Sequence, residues 1–256
     1  MKTLRWLNLA AFVLVIAMNW ASSNLQINGN TVASVSDGIP SLFTPAGYVF
    51  AIWGIIYLAL GAFVIYGVSK KQADNQLIDR IGPWFVINSL LNMVWLVSWL
   101  MEWWLISLVI IALMLVTLII TYLRLNAFRE DARGKDFWFV LFPFSIYLAW
   151  ISVATIANTS IIFAANGITS LGVSGTFWTA VMITVATLVS NLMVVLRRDW
   201  FFPLVVIWAV IGIAIANDGN TAILITAVVV VLEQILVMFF QRKQRPSALH
   251  LQKQTA

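Results

Sequence analysis

Long apolar runs alternate with short polar joints along the whole chain. A helix needs roughly 20 mostly apolar residues to cross about 30 Å of hydrocarbon. Eight segments qualify, at about 4–21, 46–68, 82–101, 103–123, 137–163, 177–196, 200–217 and 220–240. Met101 to Trp104 makes a tight hairpin and Asn217-Asp218-Gly219-Asn220 a turn. The one sizeable loop, 21–45, is rich in Ser, Asn, Gly and Thr and reads as a lid over a cavity or as a plain connector. Pro45 suits the first turn of the second span, Pro143 kinks the fifth, and Pro203 starts the seventh. The pattern predicts an all-α, polytopic transmembrane helix bundle of about eight spans.

Charge fixes the orientation expected of these spans. All fifteen Lys and Arg residues fall ahead of or at the very start of span one, after span eight, or in every second joint (69–81, 124–136 and 197–199). The alternate joints hold none and carry only Asp37, Glu102 and Asp218. Were charges merely lining loops, both sets would be basic. Positive residues stay in the cytoplasm, so both termini are expected there, most simply in a bacterial plasma membrane. Lys2 and Arg5, ahead of an apolar run ending near Ala21-Ser22-Ser23, also fit a cleaved signal peptide. The run approaches full spanning length, which favours a retained helix.

Composition agrees with the pattern: 62% of the 256 residues are hydrophobic and 10% charged, against about 25% charged in soluble domains. That excludes a cytosolic globular enzyme and a disordered chain. The net charge of +5 is accounted for by topology, so no nucleic-acid partner is expected; the bilayer is the partner. Cysteine is absent and the sole histidine, His250, lies in the C-terminal tail. Thiolate, zinc-thiolate and iron–sulfur chemistry, and histidine chemistry within the membrane, are thereby excluded. None of the familiar nucleotide-loop, serine-elbow or zinc-helix patterns occurs, so no catalytic residue and no required cofactor is assigned.

Three spans carry aromatic and amide residues at helical spacing. Phe50, Trp53 and Tyr57 share one face of span two; Asn88, Asn92, Trp95 and Trp99 share one of span three; Tyr147, Trp150 and Asn158 share one of span five. An amide facing lipid is left unpaired at a cost of several kcal/mol. These asparagines therefore face protein, water or a ligand. Interhelical bonding satisfies that demand, and so does a flat conjugated ligand stacked among the aromatic rings. Five of the thirteen tryptophans, Trp6, Trp20, Trp103, Trp104 and Trp200, lie at span ends and are expected as interfacial anchors. Glu233 is the only acid deep inside a span and has no Lys or Arg at its depth. It reads as a proton-coupling group, or as a neutral acid bonded to Gln234 or a neighbouring helix.

PheThrProAlaGlyTyrValPheAlaIleTrpGlyIleIleTyr (43–57), LeuAsnMetValTrp (91–95) and TyrLeuAlaTrpIleSerValAlaThrIleAlaAsn (147–158) resemble, in order, motifs of the tryptophan-rich sensory protein family (TspO/MBR), relatives of the translocator protein. The resemblance covers about residues 1–163. It implies a five-helix core with a pocket beneath the first loop that binds porphyrins. Pro45, Tyr48, Phe50, Trp53, Tyr57, Asn88, Asn92, Trp95, Trp99, Tyr147, Trp150 and Asn158 are the ligand-binding candidates it brings together. Two departures stand out: Phe50 and Trp53 are one residue closer than in the family pattern, and the sterol-type Tyr/Arg pattern does not follow Asn158.

The chain then divides into a core (1–163), three additional helices (164–241) and a basic tail (242–256). The function implied is binding, with transport or sensing, of tetrapyrroles or similar flat hydrophobic ligands, metal-free or without strong axial ligation. The alternative is a proton-coupled small-molecule transporter using Glu233. No dimer-forming face stands out in the sequence.

Overall fold

The computed structural model describes residues 2–39, 41–126, 134–166 and 173–243. It is helical throughout the described regular elements: α1 (Lys2–Leu25), α2 (Val32–Asp37), α3 (Ile52–Val68), α4 (Gln76–Ile81), α5 (Trp84–Leu100), α6 (Trp104–Asn126), α7 (Phe142–Ala165), α8 (Gly175–Arg197), α9 (Phe201–Ala216) and α10 (Thr221–Lys243), with short 3₁₀ and π segments between. In the hydrocarbon core only a helix or a closed barrel satisfies every backbone group. With 62% hydrophobic residues and no alternating pattern, this chain takes the helical solution.

Six of these helices are long and apolar enough to cross a membrane. The third and seventh expected spans are shorter, at 17 and 16 residues, or roughly 25 Å at 1.5 Å per residue. Pro83 ends the approach to α5, following Gly82 at φ 60°, and so delays the helix to Trp84. Both short helices are flanked by others on several sides: α5 by α1, α2 and α6, and α9 by α7, α8 and α10.

The helices close a ring in the order α1, α5, α6, α7, α3 and back to α1. α9 docks on the outside of this ring against α7, and α8 and α10 pack on α9 and on one another. A π-helical turn, Phe137–Leu141, leads into α7, with Pro143 in the first turn after it. Pro203 lies in the first turn of α9, as expected.

The end carrying most of the described basic residues is tied by a polar network. The Arg5 guanidinium, 6% exposed, donates to Asp79 at 2.8 Å, to the Asn75 carbonyl and to the Gln72 carbonyl. Asp136 accepts from Tyr66 Oη and Asn75 Nδ2. Joint 69–81 is thereby fixed to α1, α3 and the start of the π turn.

Candidate functional site

At the opposite end the loop between α1 and α3 folds over the ring. Thr31 caps α2 through a reciprocal pair with Ser34, side chain to backbone in both directions. Trp99 Nε1 donates to the Val32 carbonyl at 3.2 Å. Asn28 and Asn30 donate to the Leu100 carbonyl. The short helix α2 is thus pinned to the end of α5, and the loop acts structurally as a lid.

The chain reaches α3 through a 3₁₀ segment, Gly47–Ala51. α9 holds this segment from outside: Ala46 N–H donates to the Gly212 carbonyl at 3.0 Å and Trp208 Nε1 to the Val49 carbonyl at 3.1 Å. The approach demands glycine at 212, since a β-carbon there would meet Val49 Cγ2 at 2.1 Å.

Between lid and ring lies a half-open cleft of about 330 Å³, lined by Asn19 and Ser23 of α1, Thr31, Val32 and Ala33 of the lid, Phe50, Trp53 and Tyr57, and Trp95. A narrow pocket of about 30 Å³ adjoins it, sharing Val32, Phe50, Trp53 and Trp95 and reaching Pro45, Trp99, Trp150 and Asn158. Trp53 is the hub of the walls. Its ring stacks on Tyr57 at 5.3 Å between centroids and lies 6.0–6.2 Å from Trp95, Tyr147 and Trp150. The shortened Phe50–Trp53 spacing has not turned Trp53 out of the cleft.

Two donors in these walls are unused. The indole N–H groups of Trp95 and Trp150 are buried and have no hydrogen-bond partner. Asn158, by contrast, is engaged with Ser107 Oγ of α6.

Eight of the expected residues line the cleft or its extension: Pro45, Phe50, Trp53, Tyr57, Trp95, Trp99, Trp150 and Asn158. Asn92 and Tyr147 sit behind them, with Asn92 Nδ2 donating to Tyr147 Oη at 3.3 Å and Tyr147 touching Trp53. Two others lie elsewhere. Tyr48 is 43% exposed and meets Trp208 of α9 edge-on, because the 3₁₀ turn carries it round to that side. Asn88 spends its amide on Thr117 Oγ1 at 2.7 Å and the Met114 carbonyl, bridging α5 to α6. Asn19, Ser23 and the lid residues are lining groups that periodicity in the three aromatic spans does not reveal.

Among the span-end tryptophans, Trp6, Trp20 and Trp103 are exposed. Trp104 instead packs edge-on against Trp99, and the Trp200 indole nitrogen is buried. These two belong to the protein interior as much as to an interface.

Glu233 lies away from the cleft on α10, where Asn191 of α8 donates to both its oxygens. Its partner is thus a neighbouring helix and not Gln234. Among the described residues no three His, Cys, Asp or Glu side chains gather as a metal site.

Comparison with known proteins finds no match among curated proteins and none among solved structures. A family model described as TSPO-like protein does match, over residues 5–240, and so takes in α8–α10 as well as the five-helix ring. With its multi-pass helical bundle and a match over nearly all its length, this chain belongs to the TSPO-like protein family.

Proposed function

We propose that this membrane protein binds tetrapyrroles, or similarly flat and conjugated apolar molecules, in the aromatic cleft beneath its lid, as a receptor or carrier. The observation that carries the reading is the pair of buried indole donors, Trp95 and Trp150, left without acceptors in an aromatic wall. An unmade hydrogen bond to a buried donor costs about 1–3 kcal/mol. A ligand with acceptors on its edge recovers that cost while its face stacks on Trp53 and Tyr57.

The cleft volume of about 330 Å³ stands at the lower end of small-molecule sites, about 300–1,000 Å³. It takes one edge of a tetrapyrrole, the polar rim whose acceptors meet the Trp95 and Trp150 N–H groups, with the rest of the ring toward the open side beside Asn19, Ser23 and Thr31. With the only histidine at 250 and no cysteine, the ring is held metal-free or without strong axial ligation. The basic residues at one end of the bundle support a topology with both termini cytoplasmic, in a bacterial plasma membrane.

The test is titration of detergent-solubilised protein with protoporphyrin IX, following the porphyrin absorption band and tryptophan fluorescence. Wild type and the exposed control Trp6→Phe are expected to bind saturably and equally. Trp95→Phe and Trp150→Phe each weaken binding roughly fivefold, as loss of one net hydrogen bond of about 1 kcal/mol requires, and Trp53→Phe weakens it by loss of stacking area. A band that does not saturate, or four variants that bind alike, overturns the reading.

A further inference from the structure

The three outer helices contain a polar group that the cleft does not use. α8 and α10 run in the same direction, tied near their starts by Asn220 Nδ2 to Thr176 Oγ1 and again further along by Asn191 to Glu233. Asn191 Nδ2 lies 2.7 and 2.9 Å from the two Glu233 oxygens. The neighbouring residues Ser190 and Gln234 are 0% and 1% exposed. Ser190 Oγ, Asn191 Oδ1 and both Gln234 amide atoms are buried without a partner. A carboxyl group and four unmatched polar atoms in an apolar helix pair are costly features that packing alone does not call for.

No cation at this depth balances a carboxylate among the described residues. On α8 the nearest charge is Arg197, about 9 Å further along the axis than Asn191, with Arg198 after it. On α10, Arg242 and Lys243 lie about 13–15 Å beyond Glu233. α9 carries no ionisable side chain, and α7 only Tyr147, which Asn92 engages. Asp199, ahead of α9, takes hydrogen bonds from Tyr122 and Ser145.

We infer that Glu233 and Asn191 form a reversible proton-binding site in the membrane. Asn191 serves both states: its Nδ2 donates to the carboxylate, and its amide turned over presents Oδ1 to accept from the acid. The proton is taken from hydronium, leaving water, and returns to water on release.

The site is tested without any cleft ligand, so its outcome is separate from that of the porphyrin titration. Full-length protein in liposomes is examined by infrared difference spectroscopy between acid and alkaline pH. Wild type is expected to show a carboxylic-acid carbonyl band that disappears as pH rises and that Glu233→Gln lacks. In Asn191→Leu the band persists at higher frequency, because the acid has lost its acceptor. Should Glu233→Gln fail to assemble, Glu233→Asp keeps an acid on a shorter arm, and its band must differ in frequency from wild type. Three results overturn the inference: no Glu233-dependent band, a band that neither Asn191→Leu nor Glu233→Asp moves, or a sodium-induced change at fixed pH that Glu233→Gln abolishes.

Discussion

Gly212 of α9 stands so close to Val49 that a β-carbon on it would lie 2.1 Å from Val49 Cγ2, with Pro45 Cβ at 3.3 Å. Val49 is fully buried and β-branched, so it has little freedom to turn away. The three outer helices are therefore fitted to the entrance of the cleft and share its tolerances. Gly212→Ala is expected to destabilise the protein by about 1–3 kcal/mol, the usual cost of overpacking, and to weaken cleft binding as Pro45 and Phe50 are pushed inward. Adding Val49→Ala makes room for the new methyl group. The double variant should then be less destabilised than the two single losses add up to, read as thermal unfolding in detergent. Strict additivity would show that the two residues do not meet.

The lid makes a second prediction. Trp99 Nε1 is the bond from α5 to the backbone of α2, at Val32. Trp99→Phe preserves most of the ring stack with Trp95, 5.8 Å away, but frees the Val32 carbonyl. A looser lid speeds both entry and exit of ligand. Stopped-flow porphyrin binding should show larger association and dissociation rates with a smaller change in their ratio. If only the dissociation rate rises, Trp99 acts as a contact and not as a latch.

The residues of the cleft were legible to very different degrees. Phe50, Trp53, Trp95 and Trp150 stand out because lipid leaves only the helix as local structure, and helical spacing then gives the shared face. A face is not a partner, however. Asn88 lies one turn before Asn92 on α5, yet α6 presents Thr117 and the Met114 carbonyl at that level and absorbs its amide. Tyr48 lies apart from the cleft for a local reason, since a 3₁₀ turn has three residues per turn and carries it round to Trp208. The lid residues carry no periodic signal, because a capped loop folded by Thr31, Asn28 and Asn30 is specified by single side chains. The need for Gly212 arises only when α9 meets Val49, which no local pattern encodes.

The network around Arg5 gives a third prediction. Arg5 is 6% exposed and Asp79 13%, and the guanidinium also serves backbone carbonyls at Gln72 and Asn75. Removing one partner of a buried, hydrogen-bonded pair typically costs 3–5 kcal/mol. Arg5→Ala, which leaves Asp79 uncompensated, is expected to fall in that range. Arg5→Lys recovers only part of it, because an ammonium cannot reproduce the planar fork. Equal stability of the Lys variant and wild type would mean that charge alone holds this end together.

Asp199 joins the ring to the outer helices, and it makes the sharpest test of whether the two act as one body. Its side chain is fully buried. One oxygen accepts from Tyr122 of α6 at 2.8 Å; the other accepts from Ser145 of α7 at 2.7 Å and from the first N–H groups of α9, at Phe201 and Phe202. Asp199→Ala removes a helix cap, worth about 1 kcal/mol, and takes from the buried Ser145 hydroxyl its acceptor, at about 1–3 kcal/mol. Asp199→Asn keeps one acceptor for Ser145 and the α9 N–H groups, and turns Tyr122 from donor to acceptor, so its loss should be well below that of the Ala variant. If unfolding of the Ala variant splits into two transitions while wild type shows one, Asp199 is what makes α8–α10 cooperative with the ring. A single transition at unchanged temperature would place that coupling in the apolar contact between α9 and α7 instead.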